Sequence, residues 1–192
     1  MTAVDLRGTS NRGYHPGRPY WIRSVWLIVE AILFTNPVIV SYGFKRWLLR
    51  RFGADVGARV VIKPGVHIKY PWRLAVGDST WLGERCWIDN MEDVRIGANV
   101  VVSQSAYLCT GNHDWSDPGM PLTPQPIVIE DGAWIGACAR VGPGLTVGHG
   151  AVVALGSVLL ESADHDWVYV GNPAARVKRR VIRGGDARVR CP

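Results

Sequence analysis

Few side chains can move a proton near neutral pH, and His113 is distinguished by where it falls. It sits in the segment CTGNHDWSDPGMPLTPQPIVI, rich in Pro, Asp and Thr and set between aliphatic runs. A histidine at the partly exposed root of a loop has the basicity a general base requires with little tuning. Taken alone it is an ordinary surface residue, and only its place in the chain changes that reading. Asp89 and Asn90 are a second candidate pair, because a carboxylate and an amide match vicinal hydroxyls, although the same pair also suits a turn at an irregular corner. Arg176, Lys178, Arg179 and Arg180 form a third cluster. Arginine offers a planar, permanently charged fork for phosphate oxygens, and a solvated basic tail is the competing reading. Cys86, Cys109, Cys138 and Cys191 show no metal-binding spacing, so no metal is expected and a reducing cytoplasm is the default.

The elements that must position these groups are announced by a period of six. From Ile129 a hexapeptide begins at Ile129, Ile135, Val141, Val147, Val153 and Leu159, and the same pattern runs in three earlier blocks: Val56, Ile62, Ile68; Val76, Leu82, Ile88; Ile96, Val102, Leu108. A sustained short period of this kind marks a coiled β-solenoid. The fifth position carries mostly small residues, such as Thr80, Cys86, Ala106, Ala133, Ala139, Ala151, Ser157 and Ala163, so first and fifth positions both face inward. The second position is Gly at 57, 77, 83, 97, 136, 142 and 148, which predicts a sharp backbone turn there. The sixth position points outward, and Trp81, Trp87 and Trp134 occupy it. Three hexapeptides make one triangular coil of 18 residues. Leu108 and Ile129 stand 21 positions apart where the repeat expects 6. A loop therefore leaves the solenoid beside His113, and a long loop on a repeat scaffold is usually functional.

The 192 residues suit one domain of about six coils, with the N-terminal arm and helical cap over 1–52, the β-helix over 53–164 with its inserted loop at 109–127, and a basic tail over 165–192. Tyr20 to Thr35 reads as one helix and Val38 to Phe52 as a second. Trp21, Val25, Ile28 and Ile32 form an apolar stripe, with Trp47, Leu48 and Phe52 on the second helix. Two roles stay open for these helices. They cap the first coil and shield its open edge, or they touch a membrane surface through Trp26, Trp47 and the basic cluster Lys45, Arg46, Arg50 and Arg51. The apolar run, preceded by Arg7, Arg12 and Arg18 and interrupted by Arg23 and Glu30, is too short and too charged to span a bilayer or to serve as a cleavable signal. The net charge of +6 is concentrated at the two ends, from Lys45 to Arg51 and from Arg176 to Arg190. Basic residues placed at the ends rather than interleaved with exposed aromatics on one face argue against nucleic-acid binding.

The period resembles the left-handed parallel β-helix of the hexapeptide-repeat acyltransferases. Thr110-Gly111-Asn112-His113-Asp114, then Pro126-Ile127-Val128-Ile129 with Trp134-Ile135-Gly136, then Gly171-Asn172-Pro173-Ala174 are similar to the sugar O-acetyltransferases of that superfamily. Lys63-Pro64, Tyr70-Pro71-Trp72 and Ile88-Asp89-Asn90 extend the resemblance to the colanic-acid, or exopolysaccharide, biosynthesis acetyltransferases over roughly Tyr20 to Arg180. It implies an all-β left-handed parallel β-helix with N-terminal helices, a protruding loop and a short C-terminal tail. It also implies an acetyl-CoA-dependent O-acetyltransferase acting on a sugar-like acceptor, assembled as a homotrimer. The resemblance makes His113 the general base and the Ala137 N–H the oxyanion donor, a contribution of roughly 3 kcal/mol. It assigns Asp89, Asn90 and Asn112 to the acceptor, and Trp134, Ala154, Arg176, Arg179 and Arg180 to acetyl-CoA. Leu160-Glu161 stands where relatives carry Thr-Lys, so one phosphate contact is expected to be missing. The expected location is the cytoplasm, including the inner face of the membrane.

Two other classes compete. A γ-class carbonic anhydrase shares the scaffold but needs three zinc-binding histidines, two of them five residues apart. Histidines 15, 67, 113, 149 and 165 include no such pair. A non-catalytic β-helix scaffold would have no use for an inserted loop rooted at Asn112-His113.

Overall fold

A hexapeptide with an aliphatic first position and a small fifth position can bury both only by wrapping. In a computed structural model of the chain, which describes residues 4–6, 13–39 and 41–182, it wraps as a triangular prism. The first coil comprises β1 (Asp55–Val56), β2 (Val61–Ile62) and β3 (His67–Ile68), and the second β4 (Leu74–Val76), β5 (Trp81–Leu82) and β6 (Trp87–Asp89). The third is β7 (Val94–Ile96), β8 (Val101–Val102) and β9 (Tyr107–Cys109), and the fourth β10 (Ile127–Ile129), β11 (Trp134–Ile135) and β12 (Arg140–Val141). The fifth holds β13 (Thr146–Val147), β14 (Val152–Val153) and β15 (Val158–Leu159). Successive coils stack as three parallel sheets: A with the order β1-β4-β7-β10-β13, B running from β2 through β5, β8 and β11 to β14, and C with β3-β6-β9-β12-β15.

The register places like on like. Ile62, Leu82, Val102, Ile135 and Val153 form one column in sheet B, and Ile68, Ile88, Leu108, Val141 and Leu159 another in sheet C. These columns, with the fifth-position residues, fill the prism as one buried core.

The sharp turn falls two residues later than the glycine pattern predicts. The fourth position carries the left-handed backbone, with φ near 55–58° at Arg59, Ser79, Arg85, Asn99, Ser105 and Cys138. That conformation costs a non-glycine residue about 1–2 kcal/mol. It recurs because it aims the fourth-position N–H at the third-position carbonyl of the coil before: Ser79 to Ala58, Asn99 to Asp78, Cys138 to Gln104. The second-position glycine answers a different need. A Cβ at Gly77 would lie 2.5 Å from the Ala98 nitrogen of the next coil, and one at Gly136 would lie 2.7 Å from the Leu155 nitrogen. Stacking distance, not φ, excludes a side chain there.

Both ends of the prism are covered. Helix α1 (Tyr20–Val29) runs on into a π-helical turn at Glu30–Phe34, and α2 spans Tyr42–Arg51, starting later than the expected Val38. Trp26 Nε1 donates to the Ile68 carbonyl at 2.7 Å and Glu30 Oε1 accepts the Ile68 N–H at 2.6 Å, so two side chains stand in for a missing neighbouring strand. Arg46 donates to the Val60 carbonyl and Arg50 to those of Val56 and Gly57. The packing face of α1 is thus Trp26, Glu30 and Phe34. The stripe Trp21, Val25, Ile28 and Ile32 faces outward instead. At the other end the repeat does not fade into a tail. β16 (Trp167–Gly171) adds in parallel to β14, and β17 (Ala174–Arg179) returns antiparallel to it, closing sheet B. Arg7, Arg12, Cys191 and the basic stretch beyond Ile182 lie outside the described residues.

Candidate functional site

The loop departs from the edge where sheet C turns back into sheet A, between β9 and β10. Its first and last residues, Cys109 and Ile127, are held in those strands, so the excursion itself is 110–126. It is a ladder rather than a loose strap. Gln125 N–H reaches the Thr110 carbonyl, Thr123 N–H that of Asn112, and Asp114 N–H that of Pro121, while His113 bridges Leu122. His113 is exposed and its Nδ1 lies 2.7 Å from the Met120 carbonyl. A carbonyl only accepts, so Nδ1 carries the proton and Nε2 keeps the free lone pair. The imidazole is thereby oriented and its basic nitrogen faces away from its anchor. Asn112 Oδ1 accepts the His113 N–H at 2.9 Å, so its side chain shapes the loop root. At the tip, hydrogen bonds from the Ser116 hydroxyl and then its N–H hold Asp114 below the usual carboxylate range. Beside it Trp115 is 82% exposed. Composition hid this tryptophan, since one aromatic in a polar loop carries no periodic signal.

A second feature lies on a different edge, where sheet B turns into sheet C. There a cleft of about 880 Å³ runs past Trp134, Ala137, Ala154, Val168, Arg179 and Arg180. Ser103 Oγ accepts from Trp134 Nε1 at 2.9 Å and sets the indole against the wall. In the turn above it, the N–H of Gly136 bonds to Val153 and that of Cys138 to Gln104, whereas the Ala137 N–H makes no hydrogen bond among the described residues. The N–H groups of Gln104 and Leu155, stacked below and above it, are likewise unbonded among the described residues, so a column of unclaimed donors lines the cleft. Lys178, Arg179 and Arg180 bring positive charge to one end. The Arg180 guanidinium itself donates to the carbonyls of Gly132 and Gly150, in turns between sheets A and B that are not part of the cleft lining. Arg176 and Arg179 both stack on Trp167, 4.4 and 5.0 Å from the ring centre, but Arg176 is outside the cleft lining and pairs with Asp164 at 2.9 Å. Gln104 and Leu155, which also line the cleft, were missed by residue-type reasoning. Their signal is vertical, for Gln104, Ala137 and Leu155 are third positions of stacked hexapeptides.

The remaining candidates divide. Asp89 is nearly buried on the outer side of sheet C, held by Lys69 Nζ at 2.8 Å and the Tyr107 hydroxyl at 2.9 Å. Burial, reinforced by hydrogen bonds to Cys109 and Asp89, raises the Tyr107 pKa, so the phenol stays a donor to the carboxylate. Asn90 is fully buried and spends its amide on the Tyr70 N–H and the Tyr70 and Arg73 carbonyls. It staples a corner between two coils and presents nothing to an acceptor, which corrects the expectation for this residue. Among the described residues no group of His, Cys, Asp or Glu is arranged to hold a metal ion.

With this geometry in place the relatives become informative. No protein-family profile matches the chain. A protein of Escherichia coli K12 named as a colanic acid biosynthesis acetyltransferase, WcaF, is 38% identical over 92% of this chain and 97% of its own length. The chain belongs to that acetyltransferase family. Among solved structures, a hexapeptide-repeat acetyltransferase from Vibrio cholerae complexed with acetyl-coenzyme A superposes with a TM-score of 0.74 at 24% identity, covering 84% of this chain and 88% of its own. A galactoside acetyltransferase in complex with coenzyme A gives 0.72 at 22% identity, covering 82% and 79%. Like them the acetyltransferase described here is a left-handed parallel β-helix. Its two candidate half-sites occupy separate edges of the prism.

Proposed function

We propose that this acetyltransferase moves the acetyl group of acetyl-CoA to a hydroxyl of a sugar or glycoconjugate, in a homotrimer whose active sites each combine the cleft of one copy with the His113 loop of the next. The observation that carries this reading is the separation of the two half-sites. The unclaimed Ala137 donor lies on the B–C edge, His113 on the C–A edge, and the width of sheet C stands between them. One chain cannot close that gap, whereas a neighbour packed edge to edge can.

The donor fits the cleft in kind. The apolar wall of Trp134, Val152 and Val168 suits a pantetheine arm, and the basic end at Lys178, Arg179 and Arg180 suits phosphates. His113 Nε2 takes the proton of the acceptor hydroxyl as its oxygen bonds to the thioester carbonyl carbon. The carbonyl oxygen becomes an oxyanion beside the Ala137 N–H, a preorganised donor of the kind that lowers such barriers. Collapse breaks the carbon–sulfur bond, and the leaving thiolate recovers the proton from the imidazolium. No covalent enzyme intermediate is required. A supply of acetyl-CoA places the reaction in the cytoplasm.

The test is product analysis: purified protein, acetyl-CoA and a panel of glycosides, read by mass spectrometry alongside release of free thiol. Acetyl ester on a sugar hydroxyl, absent from the His113→Asn variant, is the expected result. Thiol release with no acetylated glycoside in the panel would refute the acceptor class.

A further inference from the structure

The face of α1 turned away from the prism has no reason to be apolar if water is all it meets. Every fully exposed residue from Tyr20 to Phe34 is uncharged, and most are large and apolar. Trp21, Val25, Ile28 and Ile32 are 45–67% exposed, and α2 adds the exposed, stacked pair Phe44 and Trp47. Helices of soluble domains ordinarily turn a charged face outward, and a helix apolar on all sides is a covered helix. Trp26, Glu30 and Phe34 already serve the core, so the opposite face is surplus to folding.

Charge selects what covers it. Residues 18–52 contain Arg18, Arg23, Lys45, Arg46, Arg50 and Arg51 against one acid, Glu30, which is buried. Lys45 is buried as well, and Arg46 and Arg50 hold carbonyls of the first coil, which corrects the simple picture of a free basic cluster. Arg18 and Arg51 remain exposed, and Arg51 shares a helical face with Trp47 at i, i+4. A second copy seated on this end would set one basic rim against another. An anionic lipid surface meets the same rim with opposite charge and receives the tryptophans at the headgroup level.

We propose that the N-terminal cap is a membrane-docking face: the outer side of α1 and the Phe44–Trp47 pair enter the interface of an anionic bilayer while the prism stands off it. No helix among the described residues is long and apolar enough to cross a membrane. The contact is peripheral, and it holds whatever the acceptor proves to be.

Sedimentation of the full-length protein with vesicles tests this, using phosphatidylcholine alone and phosphatidylcholine with about a third phosphatidylglycerol, a typical anionic surface. The expected result is binding to the anionic vesicles that weakens with salt and falls at least tenfold in the Trp21→Ser/Ile28→Ser/Trp47→Ser variant, with the thermal midpoint unchanged because all three side chains are exposed. Absence of vesicle binding by the parent overturns the proposal. So does equal binding by the variant. A parent that ignores vesicles but loses mass in solution on the same substitutions would show a second copy on this face, and overturns it equally.

Discussion

The two proposed half-sites are built on opposite principles. The cleft on the B–C edge is made of the repeat: stacked third positions Gln104, Ala137 and Leu155 line it, and the unclaimed N–H at Ala137 follows from the same turn that recurs in every coil. The His113 edge exists because the repeat is interrupted there. Seventeen residues, 110–126, form their own ladder and fix the imidazole through a carbonyl seven residues away. A solenoid can therefore leave unclaimed N–H groups and an apolar wall by regularity alone, whereas here the oriented imidazole proposed as the base arises where the period is broken.

The sharpest way to stress that contrast is on the interrupted side. His113→Asn removes the basic nitrogen and should lower turnover by about 10² to 10⁴, the usual value of general-base catalysis, with the circular dichroism spectrum unchanged. On the regular side Ala137→Pro replaces the N–H by a ring carbon. Pro64 is the stacked equivalent in the first coil, so the solenoid accepts proline at this position. Turnover should fall about 10²- to 10³-fold, the cost of one oxyanion donor, while coenzyme A binding by calorimetry persists.

The end of the repeat is another kind of interruption, and it carries a pH signature. Burial raises the Glu30 carboxyl from 4.5 to about 7, opposed in part by its bond from the Ile68 N–H. The folded state thus holds this proton more tightly than the unfolded chain. The associated stability is fully present below about pH 4.5 and is lost as the pH rises through 7, for a total of up to ~3 kcal/mol. His67, 3.8 Å away, reduces the loss wherever it is charged. Denaturant titrations of parent and Glu30→Gln at pH 5 and 8 should diverge by about 1–3 kcal/mol in their pH dependence, and parallel curves would remove Glu30 from the account.

Regularity itself is tested at Gly77. A methyl there would press on the Ala98 backbone, so Gly77→Ala should cost about 1–3 kcal/mol, the range for overpacking, measured by urea unfolding. The smallest effect separates two arginines. Arg179→Ala should raise the Michaelis constant for acetyl-CoA about tenfold, the scale of a charge-assisted contact of about 1.5 kcal/mol, whereas Arg176→Ala, outside the cleft and paired with Asp164, should leave it nearly unchanged. Equal effects would mean that the hairpin reorients when the donor binds.

Legibility followed the same division. The columns of Ile, Leu and Val and the small fifth positions could be read directly, because burial of a six-residue period leaves a mark at every unit. The interruption at His113 was equally plain. The meaning of the second-position glycines was not, since close approach between successive coils, distant in the chain, leaves no local signal distinct from a turn. Arg176 and Arg179 look alike in sequence, and the pairing of β16 with β17 lays both over Trp167; only Arg179 also lines the cleft, whereas Arg176 is paired with Asp164. Asn90 failed as a ligand for a related reason: its role is decided by carbonyls of Tyr70 and Arg73, one coil earlier. The outward stripe of α1 misled because a helix apolar on both sides gives no preference between them.

The central claim is that base and cleft come from different copies, and subunit mixing addresses it directly. His113→Asn and a cleft-blocked variant such as Ala154→Trp should each be inactive alone. Refolded together at equal amounts, random trimers place a sound cleft before a sound His113 in about a quarter of their sites. Recovery of about a quarter of the parent's turnover is the predicted result. Mixed trimers, verified by mass, that stay inactive would contradict the claim and return both halves of the site to one chain.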